Sequence, residues 1–326
     1  MKIYAYAVRE DEVPFIKKIE ADYDVEVIID HNQPSIDQVS NLKGCSGVTI
    51  LGQTEINKEL LDLWNEQGIK YISTRTIGSN HIDVNYAKKL GMSVCHASYP
   101  PEGVAEFSLM LMLLCLRNFK PSLWRSQVND YSLNGLQGRE LHSLTVGVMG
   151  TGRIGKTLIR MLHGFGCKIL AYDVYQSDEV KEMAEYVDLD RLYKESDIIS
   201  LHLPLLDNTY HIINDYSINK MKSGMIIINC ARGELCDSQA LIRGIESGKL
   251  GGLGLDVIEG EEGIIHVNHR DSILSNRDMA YLHQFPNVIL TQHFAFYTDI
   301  AVESMAECGI IGILEMAKKG SYPTQL

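Results

Sequence analysis

The stretch Thr145–Asp173, TVGVMGTGRIGKTLIRMLHGFGCKILAYD, constrains the fold more than any other part of the chain. Val146 to Met149 form a short apolar run, Gly150, Gly152 and Gly155 follow as G-x-G-x-x-G, and Ile154, Leu158, Ile159 and Leu162 recur at helical spacing. A second apolar run, Lys168–Tyr172, ends in an acid, Asp173. The order is strand, glycine turn, helix, strand, and two strands joined by a crossover helix pair in parallel. A G-x-G-x-x-G alone is weak; with strand, helix and terminal acid all in place it specifies one supersecondary unit.

Each part of that unit has a use if the ligand is a dinucleotide. Gly150 permits the tight turn, Gly152 lets the backbone approach a pyrophosphate, and Gly155 lets the helix pack closely on the strand. The helix N-terminus, with its unpaired N–H groups and partial positive charge, suits the anion. Asp173, 18 residues beyond Gly155, falls where a carboxylate accepts hydrogen bonds from the adenosine ribose and repels a 2′-phosphate. The expected cofactor is therefore NAD rather than NADP.

The 326 residues suffice for two domains, and the balance of 30 Lys+Arg against 42 Asp+Glu gives a net charge of −12 without a basic run. That charge argues against nucleic acid and against an anionic membrane surface, leaving a small molecule as the expected partner. The longest apolar stretch, Val104–Leu116, is interrupted by Glu106 and Ser108 and falls short of the roughly 20 residues that span a bilayer. The N-terminus shows no secretion signal, and the seven cysteines contain no C-x-x-C pair. A cytoplasmic protein with reduced thiols and no metal is expected.

Residues 1–97 alternate strands (Lys2–Val8, Val25–Ile29, Gly47–Leu51, Lys70–Ser73, Ser93–His96) with helices near 11–20, 57–67 and 83–90. Such alternation implies a parallel sheet covered on both faces. The prolines of ASYPPE at 97–102 break the rhythm, and the helix that follows, Val104–Asn118, is apolar nearly all round, which requires burial between domains or subunits. Beyond Thr145 the alternation resumes, with strands at Ile198–Leu203, Met225–Asn229, Gly252–Asp256 and Val288–Thr291 and helices near 189–195, 215–222 and 237–247. Glu259–Asp278 reads as a long surface loop. The tail, helical from Ala301 to Met316, is too short for a third domain and is expected to return to the first.

Polar residues end several of these strands: Arg232, Asp256, Glu261 and His293. In an open parallel sheet the carboxyl ends line the ligand crevice, so a guanidinium, a carboxylate and an imidazole would meet there. Taken singly, each has a structural use as well: Arg232 in a surface ion pair, Glu261 in a solvated turn, His293 in the core.

The motifs GTGRIG (150–155), CARGELCD (230–237), LDVIEGE (255–261) and QHFAFYT (292–298) closely resemble those of the D-2-hydroxyacid dehydrogenase family. TRTIGSNHID (74–83) and YPPEGVAEF (99–107) are most similar to its D-lactate dehydrogenase branch, which includes hydroxyisocaproate and phenyllactate enzymes. The resemblance runs over essentially the whole chain. It implies an α/β fold of two doubly wound parallel-sheet domains, with a Rossmann NAD-binding domain (100–298) inserted in a flavodoxin-like substrate domain (1–99 and 299–326). It further implies that Arg232 binds the substrate carboxylate, His293 is the general acid and base, and Glu261 is the partner of that histidine. Arg153, Ile154, Leu203, Pro204, Thr209, Cys230 and Ala231 would line the cofactor with the glycines and Asp173, and Asp256 would lie by the nicotinamide. The loop Arg75, Thr76, Ile77, Gly78 would give backbone N–H groups to the substrate carboxylate, Tyr99 would close over it, and Leu51, Phe294 and Tyr297 would face its side chain. A homodimer through the 101–118 helix region is also implied. Pro100, Glu102 and Phe294 depart from that branch and bear on substrate preference. A bulky apolar 2-oxo acid is the alternative to pyruvate, and an NADH-sensing corepressor-like protein is the alternative that lacks turnover.

Overall fold

The computed structural model describes residues 1–326, which divide into two compact units, 1–100 with 297–326, and 101–296. The chain passes from the first to the second between Pro100 and Pro101 and returns between Phe296 and Tyr297.

The first unit is built on five parallel strands, β1 (Lys2–Ala5), β2 (Glu26–Ile29), β3 (Gly47–Ile50), β4 (Tyr71–Thr74) and β5 (Ser93–His96), in the order β2-β1-β3-β4-β5. That 2-1-3-4-5 order is the flavodoxin-like one. Alternation along β1 sends Ile3 and Ala5 to one face, against α1 (Val13–Tyr23) and the C-terminal helix α12 (Asp299–Lys319). It sends Tyr4 to the other face, which is covered by α2 (Lys58–Glu66) and α3 (Val84–Lys89) around the buried Trp64.

The second unit carries seven parallel strands: β6 (Thr145–Met149), β7 (Lys168–Tyr172), β8 (Glu185–Tyr186), β9 (Ile198–Leu201), β10 (Met225–Asn229), β11 (Leu250–Leu255) and β12 (Val288–Leu290). Their order, β12-β11-β10-β9-β6-β7-β8, is the dinucleotide-binding 3-2-1-4-5-6 arrangement with one strand added. One face packs on α4 (Glu102–Leu116), α6 (Arg153–Phe165) and the short α7 (Asp178–Lys181), and the other on α8 (Leu189–Glu195), α9 (Asp215–Lys220), α10 (Ser238–Glu246) and α11 (Arg277–Leu282). The close seating of α4 needs a glycine at 254, where a Cβ would come within 3.0 Å of the Leu111 Cβ.

Both sheets expected from the alternation are present, with differences at the margins. The first strand stops at Ala5, and two residues later Ala7 turns the chain with φ 52°. Helix α5 (Phe119–Ser126) lies outside the helices expected from the sequence; Pro121 falls in its first turn, where a proline removes no intrahelical hydrogen bond. The surface loop after Glu259 ends at Asn276, whose side chain caps α11.

Candidate functional site

In the second unit the carboxyl ends of β6, β7, β9, β10, β11 and β12 carry the glycine turn, Asp173, Leu203, Cys230–Arg232, Asp256 and the segment around His293. The glycine turn is dictated by contact. Gly150 has φ 94° and a Cβ there would lie 2.5 Å from the His202 carbonyl oxygen; a Cβ on Gly155 would lie 2.0 Å from that of Gly150. A Cβ on Gly152, the N-cap of α6, would meet no protein atom within 4 Å. No side chain caps that helix and no acid stands in its first turn, so its leading N–H groups and dipole are open to an anion. The cradle fits a dinucleotide pyrophosphate. Arg153 and Ile154 form the first turn of α6, with Ile154 half-buried against the core.

Asp173 stands just past β7. Its Oδ2 accepts hydrogen bonds from the Thr151 N–H (2.6 Å) and hydroxyl (3.1 Å), and its Oδ1 from the Tyr175 N–H (2.9 Å). Val174 and Tyr175 beyond it are exposed and bring no cation that could pair with a 2′-phosphate. Pro204 and Thr209 belong to one turn, in which the Thr209 hydroxyl donates to the Pro204 carbonyl (2.7 Å) and accepts from the Leu206 N–H (2.8 Å). Leu203 is buried before that turn. At the end of β10 the Asn229 side chain accepts from the Ala231 N–H (3.0 Å) and donates to the Arg232 carbonyl (2.8 Å), fixing the loop that carries Cys230, Ala231 and Arg232. Burial pushes the Cys230 thiol up, so it is no thiolate nucleophile.

The catalytic candidates meet. The His293 Nδ1 lies 2.5 Å from Glu261 Oε1, whose second oxygen accepts the Ile258 N–H at 2.9 Å. Asp256, almost fully buried, takes three hydrogen bonds: Thr291 hydroxyl (2.6 Å), Phe294 N–H (3.1 Å) and Ala295 N–H (2.8 Å). These bonds clamp the segment on either side of His293, which has φ 53°, a left-handed conformation costly for a residue with a Cβ. Burial opposes charge on the imidazole; the hydrogen bond and charge of Glu261, with Asp256, outweigh both it and the repulsion from Arg232, so the His293 pKa is raised. Arg232 is thus within electrostatic reach of His293, and its Nη1 donates to the Ala231 carbonyl at 2.6 Å. Phe294 is 37% exposed and packs edge-on against Phe107, with centroids 5.0 Å apart.

The first unit carries the remaining candidates. Leu51 is 5% exposed, immediately after β3. Thr76 turns the following loop, its hydroxyl donating to the Gly78 carbonyl at 2.6 Å, and Ile77 is exposed. Tyr99 follows β5 and is half-buried. The ring of Tyr297 lies 5.3 Å from the Arg9 guanidinium. Arg75 departs from the expectation. Its N–H is committed to the Ile50 carbonyl (2.8 Å), and its fully buried guanidinium pairs with the equally buried Glu12 (2.8 Å) and donates to the Tyr6 (2.8 Å) and Ala7 (3.2 Å) carbonyls. Arg75 is therefore a core brace with no N–H to offer a substrate, which leaves Thr76, Ile77 and Gly78 from that loop.

Sequence reading missed the braces Asn229, Thr291 and Glu259. The Glu259 carboxylate lies 3.0 Å from His211 Nε2 and accepts from the Tyr210 hydroxyl at 3.0 Å, anchoring the loop that leads to Glu261. Their signal is positional only: Asn229 ends β10, Thr291 directly follows β12, and Glu259 lies four residues beyond β11.

Two parallel sheets, a glycine cradle with its acid, and a carboxylate–imidazole pair near a guanidinium define the class of NAD-linked dehydrogenases. The chain belongs to the D-isomer specific 2-hydroxyacid dehydrogenase family, whose NAD-binding domain matches residues 109–295. An aromatic 2-oxoacid reductase of Clostridium sporogenes is 44% identical over all of this chain and 99% of its own length. A D-lactate dehydrogenase of Lactobacillus delbrueckii subsp. bulgaricus is 39% identical over 97% of this chain and 96% of its own. Among solved structures, a D-2-hydroxyisocaproate dehydrogenase superposes with a TM-score of 0.91 at 34% identity, covering 100% of this chain and 99% of that one. An NAD-complexed D-isomer specific 2-hydroxyacid dehydrogenase of L. delbrueckii ssp. bulgaricus gives 0.86 at 31%, covering both chains fully. The cofactor is NAD, and no helix is long and apolar enough to cross a membrane.

Proposed function

We propose that the chain interconverts 2-oxo acids and (R)-2-hydroxy acids with NAD, and that the Glu261–His293 pair at 2.5 Å performs the proton transfer. Bound NADH supplies the hydride to C2 of the 2-oxo acid. Arg232 holds the substrate carboxylate with two parallel hydrogen bonds, a geometry that a planar guanidinium favours. As C2 receives the hydride its oxygen gains charge, and His293 donates the proton. Nδ1 is committed to Glu261, so Nε2 is the atom that exchanges. Glu261 keeps the imidazole protonated for reduction and orients the ring; in the reverse direction neutral His293 takes the hydroxyl proton. The glycine turn, Asp173 and the Cys230–Arg232 loop hold the cofactor. Thr76, Ile77 and Gly78 give backbone N–H groups to the substrate carboxylate, with residues 1–100 and 297–326 forming the substrate domain.

We assign a bulky apolar side chain to the preferred substrate. Leu51 brings neither a cation for a distal carboxylate nor a large ring, and an isobutyl or benzyl group gains roughly 1–3 kcal/mol from apolar contact whereas an unpaired carboxylate costs several. The C. sporogenes aromatic reductase favours the same choice. The test is NADH oxidation with pyruvate, 2-oxoisocaproate, phenylpyruvate and 2-oxoglutarate. The two bulky acids should be reduced at least as efficiently as pyruvate and 2-oxoglutarate least; a greater than tenfold advantage for pyruvate refutes the assignment. We also infer a cytoplasmic homodimer. Met110 of α4 and Phe119, Leu123 and Trp124 of α5 are 40–48% exposed, an apolar surface of the kind a second copy covers.

A further inference from the structure

We propose that His266 is a positioning residue for His293, acting through a hydrogen bond from its ring to the backbone of the catalytic histidine. This rests on the acid–base role given to His293 above. His266 lies in the irregular segment between Glu259 and Asn276, and its Nε2 is 3.0 Å from the His293 carbonyl oxygen. A carbonyl can only accept, so His266 Nε2 carries the hydrogen. The ring centroids of the two histidines are 6.3 Å apart, and Phe296 packs edge-on against both, at 6.2 Å from His266 and 6.5 Å from His293.

The need for this contact follows from the backbone. His293 has φ 53°, and a left-handed residue with a Cβ persists only where its surroundings over-determine it. Downstream, Asp256 receives the N–H groups of Phe294 and Ala295. Those bonds fix the peptides after His293, and Glu261 fixes its ring. His266 supplies a hold on the carbonyl of His293 itself, which sets the plane of the peptide between His293 and Phe294. It is the second hold on that peptide, beside the Phe294 N–H bond to Asp256; with one hold lost the peptide rotates more easily, and rotation moves both the imidazole and that N–H. His266 has φ 62°, so the donor is itself presented from a left-handed turn. The groups facing His293 are then Glu261, Asp256, Arg232 and His266.

The variants are His266→Phe, which keeps an aromatic ring and loses the donor, and His266→Gln, whose amide nitrogen lies the same number of bonds from the backbone as Nε2. Because His266 is exposed, neither should prevent folding. In His266→Phe, kcat for 2-oxo acid reduction should fall about tenfold with NADH affinity unchanged, and the upper pH limb of reduction should move to lower pH as the imidazole loosens from Glu261. His266→Gln should restore kcat to within about twofold and return the limb. Amide hydrogen exchange at Phe294 and Ala295, measured without substrate, should quicken about tenfold in His266→Phe only. Unchanged exchange in His266→Phe, or kcat as low in His266→Gln as in His266→Phe, overturns the proposal. Exchange is read whether or not the chain turns over, so a wild-type protein that fails to reduce any 2-oxo acid refutes the acid–base reading separately.

Discussion

Replacing Arg75 with methionine should cost stability far more than substrate binding. The guanidinium is fully buried and makes its bonds to groups that have no access to water: the Glu12 carboxylate at 2.8 Å, also fully buried, and the carbonyls of Tyr6 and Ala7 at 2.8 and 3.2 Å. Removing one partner of a buried ion pair leaves the other charge uncompensated, which costs about 3–5 kcal/mol, and the two carbonyls add about 1 kcal/mol each. What remains to Glu12 is the Arg9 N–H at 2.9 Å and its guanidinium at 3.8 Å, so about 4 kcal/mol in total is expected rather than the full sum. At roughly 3–5 °C per kcal/mol for a unit of this size, the melting transition should fall by about 10–20 °C in scanning calorimetry. The double variant Glu12→Gln, Arg75→Met removes the stranded charge and should regain at least half of that. Well below melting, the substrate KM of Arg75→Met should change by less than about threefold, because the Arg75 N–H and guanidinium are both engaged inside the fold. A melting temperature within about 2 °C of wild type, together with a tenfold rise in KM, would refute the reasoning and return Arg75 to the substrate loop.

The pKa of His293 is raised chiefly against burial by Glu261, so Glu261→Gln should lower it. Reduction needs the imidazolium, so its rate falls as pH rises through that pKa, and in the variant the fall should begin at lower pH, as a pH–rate profile will show. NADPH should be used at least tenfold less efficiently than NADH, about 1.4 kcal/mol, because a 2′-phosphate beside Asp173 meets a like charge and no cation from Val174 or Tyr175; comparable kcat/KM values would contradict the role of Asp173. Leu123→Glu with Trp124→Glu should abolish the proposed dimer in sedimentation, since charges on an apolar face that a second copy would cover are costly.

Strands read from the sequence because parallel strands in a covered sheet centre on apolar residues: Val94–Cys95, Ile169–Tyr172 and Met225–Ile228 are the apolar centres of the strands Ser93–His96, Lys168–Tyr172 and Met225–Asn229. The glycine turn and Asp173 were legible because steric limits at φ 94° and at a 2.0 Å approach admit only glycine. Arg232, Glu261 and His293 were legible mainly through resemblance, since single polar residues carry no periodicity. What stayed hidden was tertiary. That Arg75 points inward depends on Glu12, 63 residues away, and that His266 faces His293 depends on two left-handed backbones. Neither leaves a pattern in the local sequence.

The central claim is tested most directly by incubating the wild-type protein and His293→Ala with NADH and phenylpyruvate, following absorbance and resolving the product on a chiral phase. The account predicts stoichiometric NADH oxidation, a product of (R) configuration only, and turnover lowered by about 10²-fold or more in His293→Ala with NADH binding retained. An (S) or racemic product, or His293→Ala turnover close to wild type, would contradict it.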